Sequence, residues 1–107
     1  MKFADEVGFR KHILLSLRRG LLAGVSPALR GVTVGWSWEE LSVLIRCLYD
    51  GPISDEDREL MFEADAVVFS ALGGDVAVEF SVERYDFPAP LMDRTLKEWV
   101  YRRRENF

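Results

Sequence analysis

Apolar residues recur at helical spacing from the start of the chain. Phe3, Val7, Leu14, Leu17 and Leu21 form a stripe widened by Ile13 and Leu22, with Arg10, Lys11, Arg18 and Arg19 mostly off it. Gly20 and Gly24 mark the end of this predicted helix, and Ser26-Pro27 closes it. After the connection Pro27-Ala28-Leu29-Arg30 the period changes to two. Val32, Val34 and Trp36 share one face of a predicted strand, while Thr33, Gly35 and Ser37 share the other. A turn around Trp38-Glu39-Glu40 leads to a second alternating run, with Leu41, Val43, Ile45, Cys47 and Tyr49 on one face and Ser42, Leu44, Arg46 and Leu48 on the other. The two runs predict an antiparallel hairpin that Asp50-Gly51-Pro52 terminates.

Ser54 then reads as a helix N-cap with Asp57 three residues on, in a near capping-box arrangement. Leu60, Ala64, Val67 and Ala71, joined by Met61, Val68 and Leu72, give that helix an apolar face that stops at Gly73-Gly74. Val76, Val78, Phe80 and Val82 alternate with Ala77, Glu79, Ser81 and Glu83, which predicts a strand with one oily and one acidic face. Asp86-Phe87-Pro88-Ala89-Pro90 forces an extended loop. Residues 95–104 fit a final strand, with a helical turn over 91–99 as the competing reading. The order α-β-β-α-β-β predicts an α+β two-layer sandwich, with both helices on one face of a mostly antiparallel sheet and the other face left to water or a partner.

With 107 residues, 49% of them hydrophobic and 12% aromatic, the chain has the material for one core, and residues 1–107 are expected to form a single domain. Cys47 is the only cysteine and sits in the apolar run LSVLIRCLY, so a packed thiol in a reducing compartment is expected. The N-terminal stretch carries Asp5 and Glu6, and its apolar residues are interrupted by basic ones, unlike a signal peptide or a membrane span. A cytoplasmic location is expected.

Charge changes the picture more. The net charge of −4 is unevenly spread: residues 39–86 hold thirteen acidic residues against three basic, whereas the segments on either side are net basic. The run SDEDRE, residues 54–59, lies inside the acidic part. A calcium loop needs alternating oxygen ligands, a glycine at its bend and a distal bidentate glutamate; this run leads straight into a helix with Leu60 where the bend belongs, so no metal is expected. Asp55, Glu56 and Asp57 instead suit the first turn of a helix, where each carboxylate gains ~0.3–1 kcal/mol from the helix dipole. Capping leaves the wider excess of acids unexplained.

Catalytic constellations are weak. His12, the only histidine, has no partner at relay spacing, and no serine lies in a nucleophile-elbow context. The glycine pairs form neither a phosphate loop nor a dinucleotide fingerprint, so no cofactor is expected. Arg102-Arg103-Arg104 beside Trp99 and Tyr101 is too short a basic run, in a chain of pI about 5.0, for a nucleic-acid surface. Trp36 reads as core. Trp38, beside Glu39 and Glu40 at a turn, reads as an exposed aromatic of the kind found at protein-binding hot spots.

The segments LLSLRRGLLAGVSPALRGVTVGW, LYDGPISDEDRELMFEADAVVFSAL, VERYDFPAPL and WVYRRRE, in that order, resemble a family of small bacterial proteins: the immunity proteins of contact-dependent growth inhibition and related polymorphic toxin systems. The resemblance runs from Arg10 to Glu105. It implies a non-enzymatic cytoplasmic protein that binds one cognate toxin domain, often a nuclease, and it carries no family-wide binding residues. Local physics therefore supplies the candidate toxin-binding set: Trp38, Glu39, Glu40, Asp50, Asp55, Glu56, Asp57, Glu59, Glu79, Glu83, Tyr85 and Asp86. The expected partner is a toxin domain with a basic surface, whose approach complementary charge accelerates. A self-associating module, a homodimer through a bare sheet face or strand edge, is the alternative.

Overall fold

The computed structural model describes residues 3–105. Helix α1 (Glu6–Leu21) starts where the Asp5 carboxylate accepts the Gly8 amide at 2.9 Å, an N-cap worth ~1 kcal/mol. Its inward face is Phe9, Ile13, Ser16, Leu17 and Gly20. Val7, expected in the stripe, is 75% exposed, because two residues of helix place it about 160° around the axis from Phe9. Leu22 is exposed as well, past the helix end. Helix α2 (Asp55–Leu72) is capped by Ser54, whose hydroxyl accepts the Asp57 amide at 3.1 Å, and it stops at Gly73, which has a positive φ of 87°. The two helices pack together at Gly20, where a Cβ would fall 3.0 Å from the Ala64 carbonyl.

The hairpin forms from β1 (Leu29–Ser37) and β2 (Ser42–Tyr49), antiparallel, with Val34 opposite Ile45. Strand β1 thus takes in Leu29 and Arg30, which the sequence reading left in the connection. Strand β3 (Ala77–Arg84) runs parallel to β2, and β4 (Glu98–Arg102) pairs antiparallel with β1, giving the order β3-β2-β1-β4. The α+β architecture and the α-β-β-α-β-β order are those expected. The helices cover the face bearing Val32, Val34, Val43, Ile45 and Cys47, and this is the main core. Trp36 sits only half-buried at its margin, its ring 4.8 Å from the Lys97 ammonium.

The opposite sheet face is not bare, a correction to the sequence reading. The chain after β3 folds back across it. A 3₁₀ turn (Leu91–Arg94) buries Leu91, Leu96 lies over Gly35, and Leu48 beneath is inaccessible to water. Two polar devices pin this cover. Arg46 donates to the Arg94 carbonyl at 3.0 Å and to Glu83 at 2.8 Å, while Arg94 pairs with the same carboxylate. Buried Thr33 sits at the register shift between β1 and β4, donating to the Glu98 carbonyl at 2.8 Å and accepting the Leu96 amide at 3.0 Å. One hydroxyl therefore satisfies both backbone groups that the irregular pairing would leave orphaned.

At the far end of the sheet Arg30 is 1% exposed. Its guanidinium donates to both carboxylate oxygens of Glu105, at 2.8 and 2.9 Å, and to the Tyr85 carbonyl at 2.8 Å. The rings of Tyr85 and Phe87 lie 5.6 and 5.7 Å from it. Arg103 extends the cluster to Asp50 and Glu105, so that arginine belongs to an internal charge network rather than to an exposed basic run.

Breaking a buried ion pair costs most when the partner is left alone; Glu105 keeps Arg103, so Arg30→Met should lower stability by about 3 kcal/mol, the low end for such pairs, read from urea unfolding. Acid should show the same coupling. Arg30 holds the Glu105 carboxyl below its ordinary value of 4.5, and Arg10 does the same for Glu98. Groups with depressed folded-state values stabilise above the unfolded pKa and lose that contribution as pH falls through the folded one. Stability should therefore hold down to the ordinary carboxylate range and fall below it, less steeply in Arg30→Met.

Candidate functional site

The twelve residues expected to meet a partner divide into tied and free. Glu83 is tied: burial opposes its ionisation, but Ser81, Arg94 and Arg46 outweigh burial and hold its carboxyl below the usual range. Asp50 accepts the Phe87 amide and pairs with Arg103. Asp86 pairs with Arg84 and accepts the Gly51 amide at 2.8 Å. Tyr85 gives its hydroxyl proton to the Pro90 carbonyl at 2.7 Å. Asp57 is buried in the first turn of α2. Trp38, expected to stand exposed, is half-buried with its ring 5.5 Å from Phe9, because the hairpin turn folds back onto α1.

Of the twelve, Glu39, Glu40, Asp55, Glu56, Glu59 and Glu79 are exposed and take part in no ion pair among the described residues. They fall at two ends. Glu39 and Glu40 sit on the hairpin turn, and Glu79 lies on β3 in the row of Leu44, near the start of both parallel strands. Asp55, Glu56 and Glu59 start α2, which follows the other end of β2, about 23 Å away at strand rise. The turn itself is held by Leu41, whose φ of 50° is unusual for a branched side chain; its carbonyl accepts the Ala77 amide at 2.9 Å and its side chain packs on the core. Beside the turn is a shallow groove of about 430 Å³ lined by Gly35, Ser37, Glu40, Ser42, Leu44 and Glu79.

The α2 end carries a feature the sequence reading missed. Glu59, Phe62, Ala66 and Phe69 follow one another at helical spacing and all are exposed, Phe62 by 73% and Phe69 by 55%. Phe62 lines a second groove, of about 220 Å³, with Arg58, Met61, Asp65, Phe80 and Val82, between α2 and the edge strand β3. Burial there raises the Asp65 carboxyl above its ordinary value. The signal was available: two phenylalanines seven residues apart on α2 lie outside the stripe that reaches the core.

Among the described residues no three of His, Cys, Asp and Glu converge as a metal-binding group. His12 is exposed, with Nδ1 donating to the Gly8 carbonyl at 2.8 Å. Among the described residues no helix is long and apolar enough to cross a membrane. Among the described residues the exposed aromatics are Phe62 and Phe69, both on α2 beside its exposed carboxylates.

A family model described as "MafI2 immunity protein" matches residues 10–105. The chain belongs to the MafI2 family. No curated protein matches it. MafI2 membership makes it a bacterial immunity protein of a Maf polymorphic toxin system, in a family that is generally non-catalytic and whose role implies neutralising a cognate toxin.

Cys47 is a packing residue in this MafI2 protein. Burial, then the negative Glu83 nearby, pushes its thiol up to about 12, which leaves almost no thiolate at neutral pH. A thiol-specific chromogenic reagent should leave the native protein unmodified and should titrate one thiol per chain once urea has unfolded it.

Proposed function

We propose that this MafI2 immunity protein neutralises a toxin with a basic surface, a nuclease domain being the class such a surface fits, by presenting the uncompensated carboxylates of α2. The observation that carries this reading is where the ion pairs are. All seven among the described residues draw their acids from Asp50, Glu83, Asp86, Glu98 and Glu105. None takes an acid from α2, which holds six carboxylates against Arg58. The ion-paired acids thus lie on other elements than α2, whose Asp55, Glu56, Glu59 and Glu63 stand exposed. A phosphate-binding site is basic, so a carboxylate-rich helix imitates the charge of its substrate and raises the association rate, by up to 10–10³-fold in steered encounters. Glu39, Glu40 and Glu79 are a separate acidic set at the other end of the sheet, available to a partner large enough to span both.

Reversing Asp55, Glu56 and Glu59 together to lysine should lower the association rate with the cognate toxin domain at least tenfold at low salt and flatten its salt dependence, measured by stopped-flow or surface-based kinetics. Reversal also removes favourable charge from the α2 N-terminus, so thermal unfolding is followed in parallel. An unchanged association rate and salt slope in a folded variant would reject this surface.

A further inference from the structure

Strand β3 is an edge strand, and its backbone phase is readable. Ala77 and Tyr85 donate their amides to the Leu41 and Tyr49 carbonyls of the β2 side, at 2.9 and 2.7 Å. Hydrogen bonding in a parallel ladder alternates along the strand. The odd-numbered residues from 77 to 85 therefore face β2, and the amides and carbonyls of Val78, Phe80 and Val82 point to the open edge. Among the described residues no strand lies beyond β3. An open eight-residue edge pairs readily with another chain unless charge, proline or a bulge blocks it. Here the side chains of Val78, Phe80 and Val82 are only half-buried on the core side, no proline falls within the strand, and its register with β2 is unbroken.

Resting on the reading that this protein binds a basic toxin, we propose that the β3 edge is where the toxin docks, adding an extended segment of its own as a fifth strand. Alternate residues of such a segment face opposite sides of the sheet. Those on the helix side meet the groove of Met61, Phe62, Phe80 and Val82, with exposed Phe69 further along α2, and are apolar. Those on the other side pass the exposed Glu79 and are lysine or arginine there.

Charge decides between this occupant and a second copy of the chain. Strand β3 adds the exposed, unpaired Glu79 beside the excess of carboxylates on α2, whereas Glu83 is already matched by Arg46 and Arg94. Edge-to-edge pairing of two copies brings both excesses together, whereas a basic segment is attracted by them.

The test is amide hydrogen exchange on the full chain, alone and with its cognate Maf toxin domain, together with binding kinetics of Phe62→Ser and Phe62→Ser/Phe69→Ser. Complex formation should slow exchange at Val78, Phe80 and Val82 at least tenfold. The serine variants keep the charge, so they should weaken affinity at least tenfold through faster dissociation, with the association rate and its salt slope unchanged. If the wild-type chain fails to bind that toxin domain, the functional reading falls. If it binds while the edge amides exchange as in the free protein, with protection at the hairpin turn or the 85–97 cover instead, the docking edge is wrong and the functional reading survives. Concentration-dependent protection of the edge without toxin would assign it to a second copy and overturn the proposal.

Discussion

A guanidinium sealed from water must find every partner within the protein, and Arg30 draws its partners from across the chain. Glu105 takes both ends of the fork, the Tyr85 carbonyl takes a third donor, and two aromatic rings close over it. The partners lie 55 and 75 residues away in sequence. An ion pair of this kind adds little net stability over a well-packed apolar pair, but it tolerates few alternative arrangements, because each leaves a charge buried and alone. It fixes where the chain leaves β3 and where it finishes β4. The cover over the second sheet face is strung between those two points.

That constraint also sorts the acids. A strongly acidic segment folds only if some of its carboxylates are neutralised, and the arginines of β1, β2 and the C-terminal part do this for Asp50, Glu83 and Glu105. Most of the segment's other carboxylates stand on α2 and on the hairpin turn, with Asp75 and Glu79 between α2 and the middle of β3. Ion-paired and unpaired acids are thus largely separated by element, and the helix with the largest uncompensated charge flanks the strand with the open edge.

Much of the fold was legible because its signals are local. Ser54 and Gly73 bracket α2, the alternation through Val43, Ile45 and Cys47 marks a buried strand, and Asp50-Gly51-Pro52 ends it. The features that were not legible depend on residues far apart. That β3 runs parallel to β2 follows from the helix crossing between them, not from either strand's own pattern. Arg30 reads as a loop residue until Glu105 is beside it, and the cover over the second face consists of turn residues whose apolar members, Leu91 and Leu96, lack any period. In the candidate site, acidity was visible from composition. The separation into free and tied carboxylates was not, since pairing joins positions as distant as Asp50 and Arg103, and Trp38 was read as exposed because nothing local announces Phe9 beneath it.

The shift in register between β1 and β4 has a consequence for how the molecule opens. Strand β4 is five residues long, meets β1 across some sixty residues of intervening chain, and relies on Thr33 to mend its irregular pairing. Native proteins open first where a cooperative unit is short and its closure is entropically costly. Here that unit is β4 with the cover, hinged near Tyr85 and latched at Thr33 and Arg30. Its release would bare Leu48 and Arg46 and withdraw Val100 and Tyr101 from the margin of the helix-facing core, while the β1–β2 hairpin and the β2–β3 ladder keep their own pairing. The protein is thus a three-stranded body carrying a latch, and transient unlatching leaves its acidic helix and open edge assembled.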